Sequence, residues 1–449
     1  MAREDPSSKS TSHGRAQRPT RTRYWVIVFA ATLAAITYID RVCMSQAMPS
    51  IQETLGLDDV DKAWVFGAFG LAYALFEIPT GSWGDKLGPR GVLIRIVLWW
   101  SFFTAFTGRA WNLVALVVTR FLFGAGEAGC FPNLTKTFTL WLPKAERSRA
   151  QGIMWMSARW GGALTPLLVV WTISLVSWQN AFAVFGLLGV AWAVVFSLWF
   201  RDRPSEHPAM NAAELELLKG NEANIVGHAK VPWAKLVASR TVWLLWGQYF
   251  CISYGWYFYI TWLPEYLQKE RGVTLAKSAL LAGLPLFLGG IGCLLAGLLL
   301  GWLVRHSLSV TFSRRLLGFV GCAAASGLLL WSAYIKDPWL AMISMGLAGF
   351  ANDLTLPGAW STCMDVGGRF AGTLSGSMNM MGNFGGMAGP FVVGYILQFT
   401  DRNWLITFWL SSAIYFLGAL CWLFIDPVTP LESAEVAEQP RSAGGPAQT

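Results

Sequence analysis

Five charged side chains interrupt long apolar stretches of the sequence, where a charge without a partner is costly. They are Arg41, Arg120, Arg159, Asp40 and Glu127. An arginine held away from water can bind an organic anion, because its guanidinium replaces the hydration that the anion loses. An acid in the same surroundings can exchange a proton, because burial and a nearby arginine shift its protonation in opposite directions. The pattern predicts a site that binds an anion and couples its movement to protons.

Spacing supports one shared site for two of these charges. Glu127 follows Arg120 by seven residues, about 10.5 Å of helical rise, so both would face one side of a helix. The glycines of the surrounding GAGEAG segment would make room for the carboxylate. Asp353 is a further acid in an apolar stretch and a third candidate for proton coupling, whereas Glu77 is assigned a structural role.

Uncharged polar groups would also be needed if the anion carries hydroxyl groups. Tyr73, Asn379 and Asn383 could supply hydrogen bonds, and the two asparagines are four residues apart on one helix face. Counting along the predicted helices places Arg120 near the membrane midplane and Arg41 in the outer part of its helix. At that depth, the Arg41 side chain could instead reach toward the lipid headgroups. The alternative for Asp40 is a static salt bridge with an arginine.

Composition identifies the elements that must position these residues. The chain has 449 residues, of which 54% are hydrophobic and only 13% charged, as is typical of a polytopic membrane protein. Twelve apolar stretches are long enough to cross a bilayer as helices. They cover residues 24–48, 63–82, 91–109, 111–135, 148–171, 179–200, 241–267, 279–303, 316–335, 338–360, 370–399 and 404–425.

Charge distribution predicts the orientation of these helices. The net charge is +8, and 24 of the 34 Lys and Arg residues fall in the two tails and in alternate loops. Cytoplasmic loops hold such an excess, so both termini are predicted to be cytoplasmic and the charge indicates no nucleic-acid partner. The predicted organisation is a tail (1–23), a six-helix half (24–200), a cytoplasmic linker (201–240), a second half (241–425) and a tail (426–449).

Cysteine and histidine usage argues against several other classes of protein. The seven cysteines are scattered singly without CxxC spacing, and all four histidines lie in polar connecting segments, so no disulfide, zinc or other metal site is predicted. The sequence has no HExxH, GxSxG or phosphate-binding loop, which disfavours an enzyme. A cofactor-free protein driven by an ion gradient is expected, because no ATP-binding segment is present. A membrane sensor is the non-transport alternative.

Two basic, glycine-led turns lie 220 residues apart and indicate duplicated halves. They read GSWGDKLGPR (Gly81–Arg90) and GWLVRHSLSVTFSRR (Gly301–Arg315). The first resembles the signature loop of the major facilitator superfamily, which implies a cytoplasmic gate formed by Gly81, Asp85, Lys86 and Arg90. The second has Arg305 where the first has Asp85, which puts a symmetrical gate in doubt.

Four further segments resemble the anion:cation symporter branch of that superfamily, which includes sugar-acid, hexuronate and galactonate permeases. They read YIDR (38–41), TRFLFGAGEAGCFPN (119–133), YITWLPEYL (259–267) and SGSMNMMGNFGG (375–386). The resemblance implies an all-α membrane protein with twelve transmembrane helices in two pseudo-symmetric six-helix halves. It also implies that Asp40 and Glu127 couple protons and that Tyr73 faces the substrate. Arg159 departs from the branch, which suggests either a second anionic group on the substrate, as in a dicarboxylate, or an ion pair with Glu127.

The predicted function is secondary active transport of a small organic anion, such as an aldonate, uronate or aldarate, by proton-coupled symport with alternating access. Na⁺ is the alternative coupling ion. The alternative function is an organophosphate, phosphate or anion-exchange antiporter. The expected partners are the anion, protons and the lipid bilayer. The protein is expected to be a monomer in the cell membrane.

Overall fold

The computed structural model describes residues 18–221, 231–274, 281 and 283–432, and all regular secondary structure within these ranges is helical. Parts of four predicted segments lie outside the described residues. These are residues 1–17 of the N-terminal tail, residues 222–230 of the linker, the predicted start of the eighth helix at 279, and residues 433–449 of the C-terminal tail.

The first half of the chain consists of seven helices, all within the described residues. They are α1 (Trp25–Leu55), α2 (Asp59–Leu87), α3 (Pro89–Thr107), α4 (Leu113–Glu127), α5 (Cys130–Trp141), α6 (Lys144–Leu175) and α7 (Trp178–Trp199). The polar linker that follows contains two short helices, α8 (Ala212–Leu217) and α9 (Trp233–Ala238).

The second half repeats this arrangement. Its described helices are α10 (Arg240–Thr261), α11 (Leu263–Glu265) with a π-helical turn over Tyr266–Glu270, α12 (Leu284–Arg305), α13 (Val310–Tyr334), α14 (Pro338–Asp353), α15 (Leu356–Gly367), α16 (Ala371–Phe399) and α17 (Trp404–Phe424). Each of the twelve predicted stretches is helical over most of its described length. Three of them are each built of two segments, namely α4 with α5, α10 with α11, and α14 with α15.

Proline accounts for the interruption of the fourth helix in each half. The sequence predicts continuous helices over 111–135 and 338–360, but α4 ends at Glu127 and α14 ends at Asp353. Pro132 and Pro357 follow within five residues and cannot donate to the carbonyl one turn earlier. In both halves, therefore, the last residue before the interruption is an acid.

Proline has the opposite outcome in α1. The helix was expected to end at residue 48, before Pro49, but it continues through Pro49 and ends at Leu55. Gly56 then takes a left-handed conformation with φ of 67°, which a glycine tolerates at a helix end. Membrane helices tolerate an internal proline where surrounding groups satisfy the freed carbonyl.

Eight helical stretches of the described chain are individually long and apolar enough to cross a membrane. The remaining membrane helices are either shorter or less apolar than these eight. α6 carries charged residues at its first turns and at Arg159, α10 is rich in Tyr and Trp, α14 and α15 are short, and α16 is rich in Gly and Asn. Arg159 of α6 and Asn379 and Asn383 of α16 are among the polar residues that contact the other half.

The helices α2 and α16 approach closely at the end of the bundle that carries the α2–α3 loop and the linker, here named the linker end. A Cβ on Gly81 of α2 would lie 2.4 Å from the carbonyl oxygen of Gly372 on α16. Gly70 and Gly67 lie farther along the same face of α2, at helical spacings of three and four residues. A Cβ on either would meet no heavy atom of the described residues within 4 Å. The helices α2 and α16 therefore diverge toward the opposite end, here named the far end.

One buried carboxylate ties the segment before α1 to the linker. Glu214 of α8 is fully buried and accepts hydrogen bonds from the backbone N–H groups of Thr22 (3.0 Å) and Arg23 (3.1 Å) and from Arg23 Nη1 (3.0 Å). The Thr20 hydroxyl donates to the same carboxylate. Burial alone would raise the pKa of Glu214, but the hydrogen bonds from Thr20, Arg23 and Thr22 outweigh it and hold that pKa below its ordinary value.

Replacing Glu214 by Gln should destabilise the protein by about 1–3 kcal/mol at neutral pH, because hydrogen bonds to a charged group are lost. The lowered pKa means that this stabilisation is complete above the unfolded-state pKa and is lost as the pH falls through the folded-state pKa. Thermal unfolding followed by tryptophan fluorescence should show a difference from wild type that shrinks below about pH 4.

The matched control is Glu216→Gln, which changes an acid of the same helix whose side chain is 69% exposed. This variant should unfold like wild type at every pH. Equal unfolding of the Glu214 and Glu216 variants would show that the buried carboxylate does not anchor the linker.

Candidate functional site

Arg41 and Glu127 form an ion pair at the centre of the first half. Arg41 Nε donates to Glu127 Oε1 at 3.0 Å, and the carboxylate is fully buried while the arginine side chain is 22% exposed. The guanidinium carbon also lies 4.4 Å from the ring centre of Tyr73 and 5.7 Å from that of Tyr38. Arg41 is thus held by a charge and by aromatic faces while part of its surface stays accessible.

The depths predicted for Arg41 and Arg120 are reversed in the structure. Arg41 lies midway along α1, because that helix continues beyond Pro49. Glu127 lies midway along the span formed by α4 and α5, and Arg120 is seven residues, about 10.5 Å, nearer the far end. Of these two arginines, Arg41 therefore lies at the midplane, and the alternative of an interfacial side chain at Arg41 is wrong.

Arg120 is 2% exposed and packs between two phenylalanines. Its guanidinium carbon lies 4.2 Å from the ring centre of Phe123 and 5.3 Å from that of Phe69. Its Nε and Nη1 atoms have no hydrogen-bond partner among the described residues. Arg120 supplies positive charge to the site, but aromatic side chains cover it in this conformation.

Asp40 does not form the static salt bridge that was the alternative for it. The residue is 1% exposed, neither carboxylate oxygen makes a hydrogen bond of ordinary geometry within the described part of the chain, and Trp100 is the neutral polar group that acts on it. Glu127 and Arg120 are the charged groups that act on it. A fixed charge in such a position is costly, so no ion pair explains the burial of Asp40.

Arg159 pairs with Asp353 and not with Glu127, so the predicted alternative pair is wrong. Arg159 Nε and Nη2 donate to the two carboxylate oxygens of Asp353 at 2.7 and 3.0 Å. The two residues lie on α6 and α14, in different halves, and both are buried. The pair is bidentate, which is the strongest geometry for arginine and a carboxylate.

Glu77 joins the halves at a second place. Its carboxylate accepts hydrogen bonds from the amide groups of Asn379 and Asn383 of α16, the latter at 3.2 Å. The sequence assigned Asn379 and Asn383 to the substrate and Glu77 to structure, and the folded chain brings all three together. Asn383 is only partly buried, whereas Glu77 is fully buried. Tyr73 lies one turn from Glu77 on α2, against Arg41.

Asp85 closes the linker end. Its Oδ2 accepts hydrogen bonds from the backbone N–H (2.6 Å) and hydroxyl (2.7 Å) of Thr373, and its Oδ1 accepts one from the N–H of Gly372 (3.0 Å). Lys136 Nζ lies 3.4 Å from the same carboxylate. Gly372 and Thr373 stand at the start of α16, where a helix N-terminus favours a negative charge. Gly81 completes the contact, since a side chain there would strike Gly372.

Two other predicted gate residues do not join the halves. Lys86 is exposed, and Arg90 binds Asp202 and Ser197, with its N–H 2.9 Å from Asp202 Oδ1 and its Nη2 2.7 Å from the Ser197 carbonyl. Their spacing from Asp85 points them away from α16. Arg305, which replaces the acid in the second turn, is exposed and donates to the Gly301 carbonyl of its own helix.

The second half contributes a different closing interaction. Asp365 receives Arg147 Nη1 of α6 at 3.0 Å and Arg314 Nη2 of α13 at 2.6 Å. Sequence reasoning missed Asp365 and Lys136. The lone lysine in the apolar segment 130–142 was a signal for Lys136, but no spacing pairs it with Asp85. Among the described residues, no group of three His, Cys, Asp or Glu side chains could hold a metal ion.

Comparison with protein families identifies the architecture that carries this geometry. The profile of the family described as "Major Facilitator Superfamily" matches residues 30–390. The chain belongs to that superfamily. The fold agrees with a solved member, the proton:xylose symporter XylE, with a TM-score of 0.74 at 13% identity over 93% of this chain and 99% of the other. The predicted twelve-helix fold in two halves is confirmed.

Two curated relatives in the superfamily match over nearly their full lengths. One is named "Probable sulfoacetate transporter SauU", from Cupriavidus necator, and is 36% identical over 92% of this chain and 96% of its own length. Another is named "Probable galactarate/D-glucarate transporter GarP", from Escherichia coli, and is 30% identical over 91% of this chain and 96% of its own length. The predicted resemblance to the sugar-acid branch of the superfamily is confirmed.

Replacing Asp85 by Asn should open the linker end more often, because an amide cannot reproduce the charge-assisted hydrogen bonds to α16. Such bonds are worth about 1.5–3 kcal/mol, and a loss of about 1.4 kcal/mol is a tenfold shift in population. The measurement is the rate at which a membrane-impermeant maleimide labels Ser375→Cys, a buried position of α16, in a background without native cysteines. We expect an increase of about tenfold or more.

Lys86→Gln serves as the control, since it removes an exposed charge from the same loop. It should leave the labelling rate unchanged. If Asp85→Asn and wild type label equally fast, Asp85 does not hold the linker end closed.

Proposed function

We propose that this chain is a secondary active transporter that moves a small organic anion, a sugar acid, across the cell membrane together with protons. The two halves would expose the site to each side in turn, driven by the proton gradient without a bound cofactor. The distribution of Lys and Arg supports a cytoplasmic location for both termini and for the linker. The linker end is then the cytoplasmic end, and a monomer suffices because the site lies within one chain.

The observation that carries the proposal is Arg41 at the midplane, whose side chain is 22% exposed and whose Nη2 has no hydrogen-bond partner among the described residues. It lies beside the space between the halves, next to Tyr38 and Tyr73. An anion entering that space would exchange its hydration for a charge-assisted, bidentate interaction. The named substrates of the two curated relatives are all small organic acids, which supports the same class of cargo here.

Coupling to protons follows from the competition for Arg41. Glu127 occupies one side of the guanidinium, so the substrate carboxylate and the Glu127 carboxylate would share one cation. Two carboxylates at one site repel each other, and a proton on Glu127 removes that repulsion. Substrate and proton would therefore bind together more tightly than either binds alone, which is the thermodynamic requirement of symport.

Asp40 and Arg120 are proposed to support this exchange from positions near the Arg41–Glu127 pair. Asp40 precedes Arg41 on α1 and makes no hydrogen bond of ordinary geometry among the described residues, so it can take up a proton without breaking an ion pair. Arg120 acts on both Asp40 and Glu127 through its charge. Direct contact between Arg120 and the anion would require Phe69 or Phe123 to move first.

Polar groups around Arg41 are proposed to recognise hydroxyl groups of the substrate. Tyr73 packs on the guanidinium, and Asn383 is partly exposed beside the same space. Asn379 and Asn383 would first have to release Glu77, which currently accepts both amide groups. Substrate binding would then weaken a contact between the halves, as alternating access requires.

The observed conformation fits one state of such a cycle. Asp85 and Asp365 hold the linker end closed, while the α2 face at Gly70 and Gly67 is open toward the far end. With the linker end in the cytoplasm, the site would be reached from outside the cell. The reverse state requires that both closing interactions break.

Arg41→Ala is expected to abolish binding of a sugar acid, and Arg41→Lys to weaken it by at least about tenfold, because lysine cannot make the bidentate, ring-stacked contact. Binding is measured by isothermal calorimetry or scintillation proximity on purified protein. Arg120→Lys should have the smaller effect, since that side chain is covered. Arg109→Lys, at an exposed position, is the control. Unchanged affinity in Arg41→Ala would remove Arg41 from the site.

Glu127→Gln should separate binding from coupling. The amide imitates the protonated acid at every pH, so substrate binding and exchange of internal for external substrate should persist in proteoliposomes. Accumulation driven by a pH gradient should be lost, because a site that cannot release a proton cannot couple to one. Asp40→Asn should act in the same direction, and Glu53→Gln, an exposed change on α1, should behave like wild type.

The same vesicles test the coupling ion and the exchange alternative. Replacing Na⁺ by choline should leave accumulation unchanged. Uphill accumulation with normal pH dependence in the Asp40→Asn/Glu127→Gln double variant would rule out proton symport through these acids and favour exchange of one anion for another.

A further inference from the structure

Glu127 and Asp353 hold equivalent positions in the two halves. Each is the last residue of the first segment of the fourth helix of its half, just before the interruption caused by a proline. Each is fully buried and each pairs with an arginine, Arg41 for Glu127 and Arg159 for Asp353. A carboxylate at the C-terminal end of a helical segment is opposed by the helix dipole, so both need a cation or a proton. The proposed function uses only the first pair.

The surroundings of Asp353 are built to accept a carboxyl group. A Cβ on Gly289 of α12 would lie 2.5 Å from Asp353 Oδ2, so only a glycine leaves space for the acid at that point. The amide of Asn352 donates to Asp353 Oδ1 at 2.8 Å. The other polar or titratable groups that act on this carboxyl come from α12, α10 and α17 and are Cys293, Tyr259 and Tyr415. Among these groups, the positive charge that faces Asp353 is that of Arg159.

Arg159 is placed toward the same central space as Arg41. Its Nη1 lies 3.3 Å from the Tyr38 hydroxyl, and the face of the Tyr38 ring lies against Arg41. One half-buried tyrosine thus stands between the two guanidinium groups. The opposite face of Arg159 packs on Trp256 with 3.6 Å between the guanidinium carbon and the ring centre. The aromatic face would keep Arg159 in position if its acid were exchanged.

We propose that Arg159 and Asp353 form a second proton-linked anion site, which binds the second acidic group of a dianionic substrate, so that the transporter selects diacids over monoacids. This inference rests on the proposed function, in which Arg41 binds the first acidic group. It names the substrate class as small organic dianions, whether the second group is a carboxylate or a sulfonate.

The exchange at this site follows from charge balance. A proton taken up by Asp353 removes its negative charge and would leave Arg159 as a buried cation without a counter-ion, which is strongly disfavoured. The second acidic group of a diacid replaces that counter-ion, whereas a monoacid already bound at Arg41 has nothing to offer. One dianion and two protons, one carried by Glu127 together with Asp40 and one by Asp353, then cross with no net charge.

A matched pair of substrates tests the selectivity. Galactarate and galactonate share one carbon skeleton and differ by one carboxylate. Wild-type protein in proteoliposomes should prefer galactarate by at least tenfold in KM. The double variant Arg159→Gln/Asp353→Asn keeps the two side chains neutral and able to hydrogen-bond each other, so it should fold, transport galactonate and lose that preference.

The control removes another ion pair between the halves. Asp365→Asn breaks the closing interaction with Arg147 and Arg314 at the linker end, outside the proposed site. Its rate of transport is expected to change, but its ratio of KM values for the two acids should match wild type. A change of that ratio in Asp365→Asn would show that selectivity depends on the contact between the halves and not on Arg159, and would overturn the inference.

Charge stoichiometry gives a readout that a structural role would not move. In vesicles clamped at zero membrane potential, the pH gradient at which net galactarate flux reverses gives the number of protons that accompany each galactarate. This number should be lower by one in Asp353→Asn than in wild type, because the amide cannot carry a proton. An unchanged number in Asp353→Asn, or an unchanged substrate ratio in the double variant, would overturn the second site while sugar-acid transport stands. Failure of wild type to bind either acid would overturn the proposed function and this inference together.

Discussion

A guanidinium group at the middle of a membrane must be held by an opposite charge or by an aromatic face, because no water is there to hydrate it. Arg41 has Glu127 on one side and Tyr73 on another, and the rest of the first half is arranged around that contact. The acid stands at the end of a helical segment, and the arginine lies midway along α1. Under the proposed function, a substrate acid would enter by sharing this cation, and its binding would then depend on the protonation of Glu127.

Short-range polar contacts join the two halves at the linker end. Asp85 is satisfied by donors at the start of α16, and Asp365 by arginines from both halves. Such contacts are strong while they are excluded from water and can be exchanged for hydration when the halves separate. The glycine contact between α2 and α16 sets how near the halves must come before these bonds form. The same design suits a gate that must both hold and release.

The helices could be predicted from the sequence because apolar stretches of about twenty residues have few other structures available to them. The depth of a charged residue in the membrane was harder to predict, since it depends on where its helix ends. Pro49 does not end α1, and the fourth helix continues past Pro132 as α5, so Arg41 and Arg120 exchanged their expected depths. The partners of the charged groups could not be read from spacing at all. Arg159 and Asp353 are far apart in sequence and meet only because α6 and α14 pack together across the two halves.

The two midplane ion pairs differ in which bodies they connect. Arg41 and Glu127 belong to one half, so a rigid rotation of the halves leaves the distance between them unchanged. Arg159 and Asp353 belong to different halves, so the same rotation stretches or releases their contact. The energy of the first pair would change only with what is bound to it. The energy of the second pair would also change with the angle between the halves. The equivalent acids Glu127 and Asp353 thus place one ion pair within a half and one between the halves, so only the second would also respond to the angle between them.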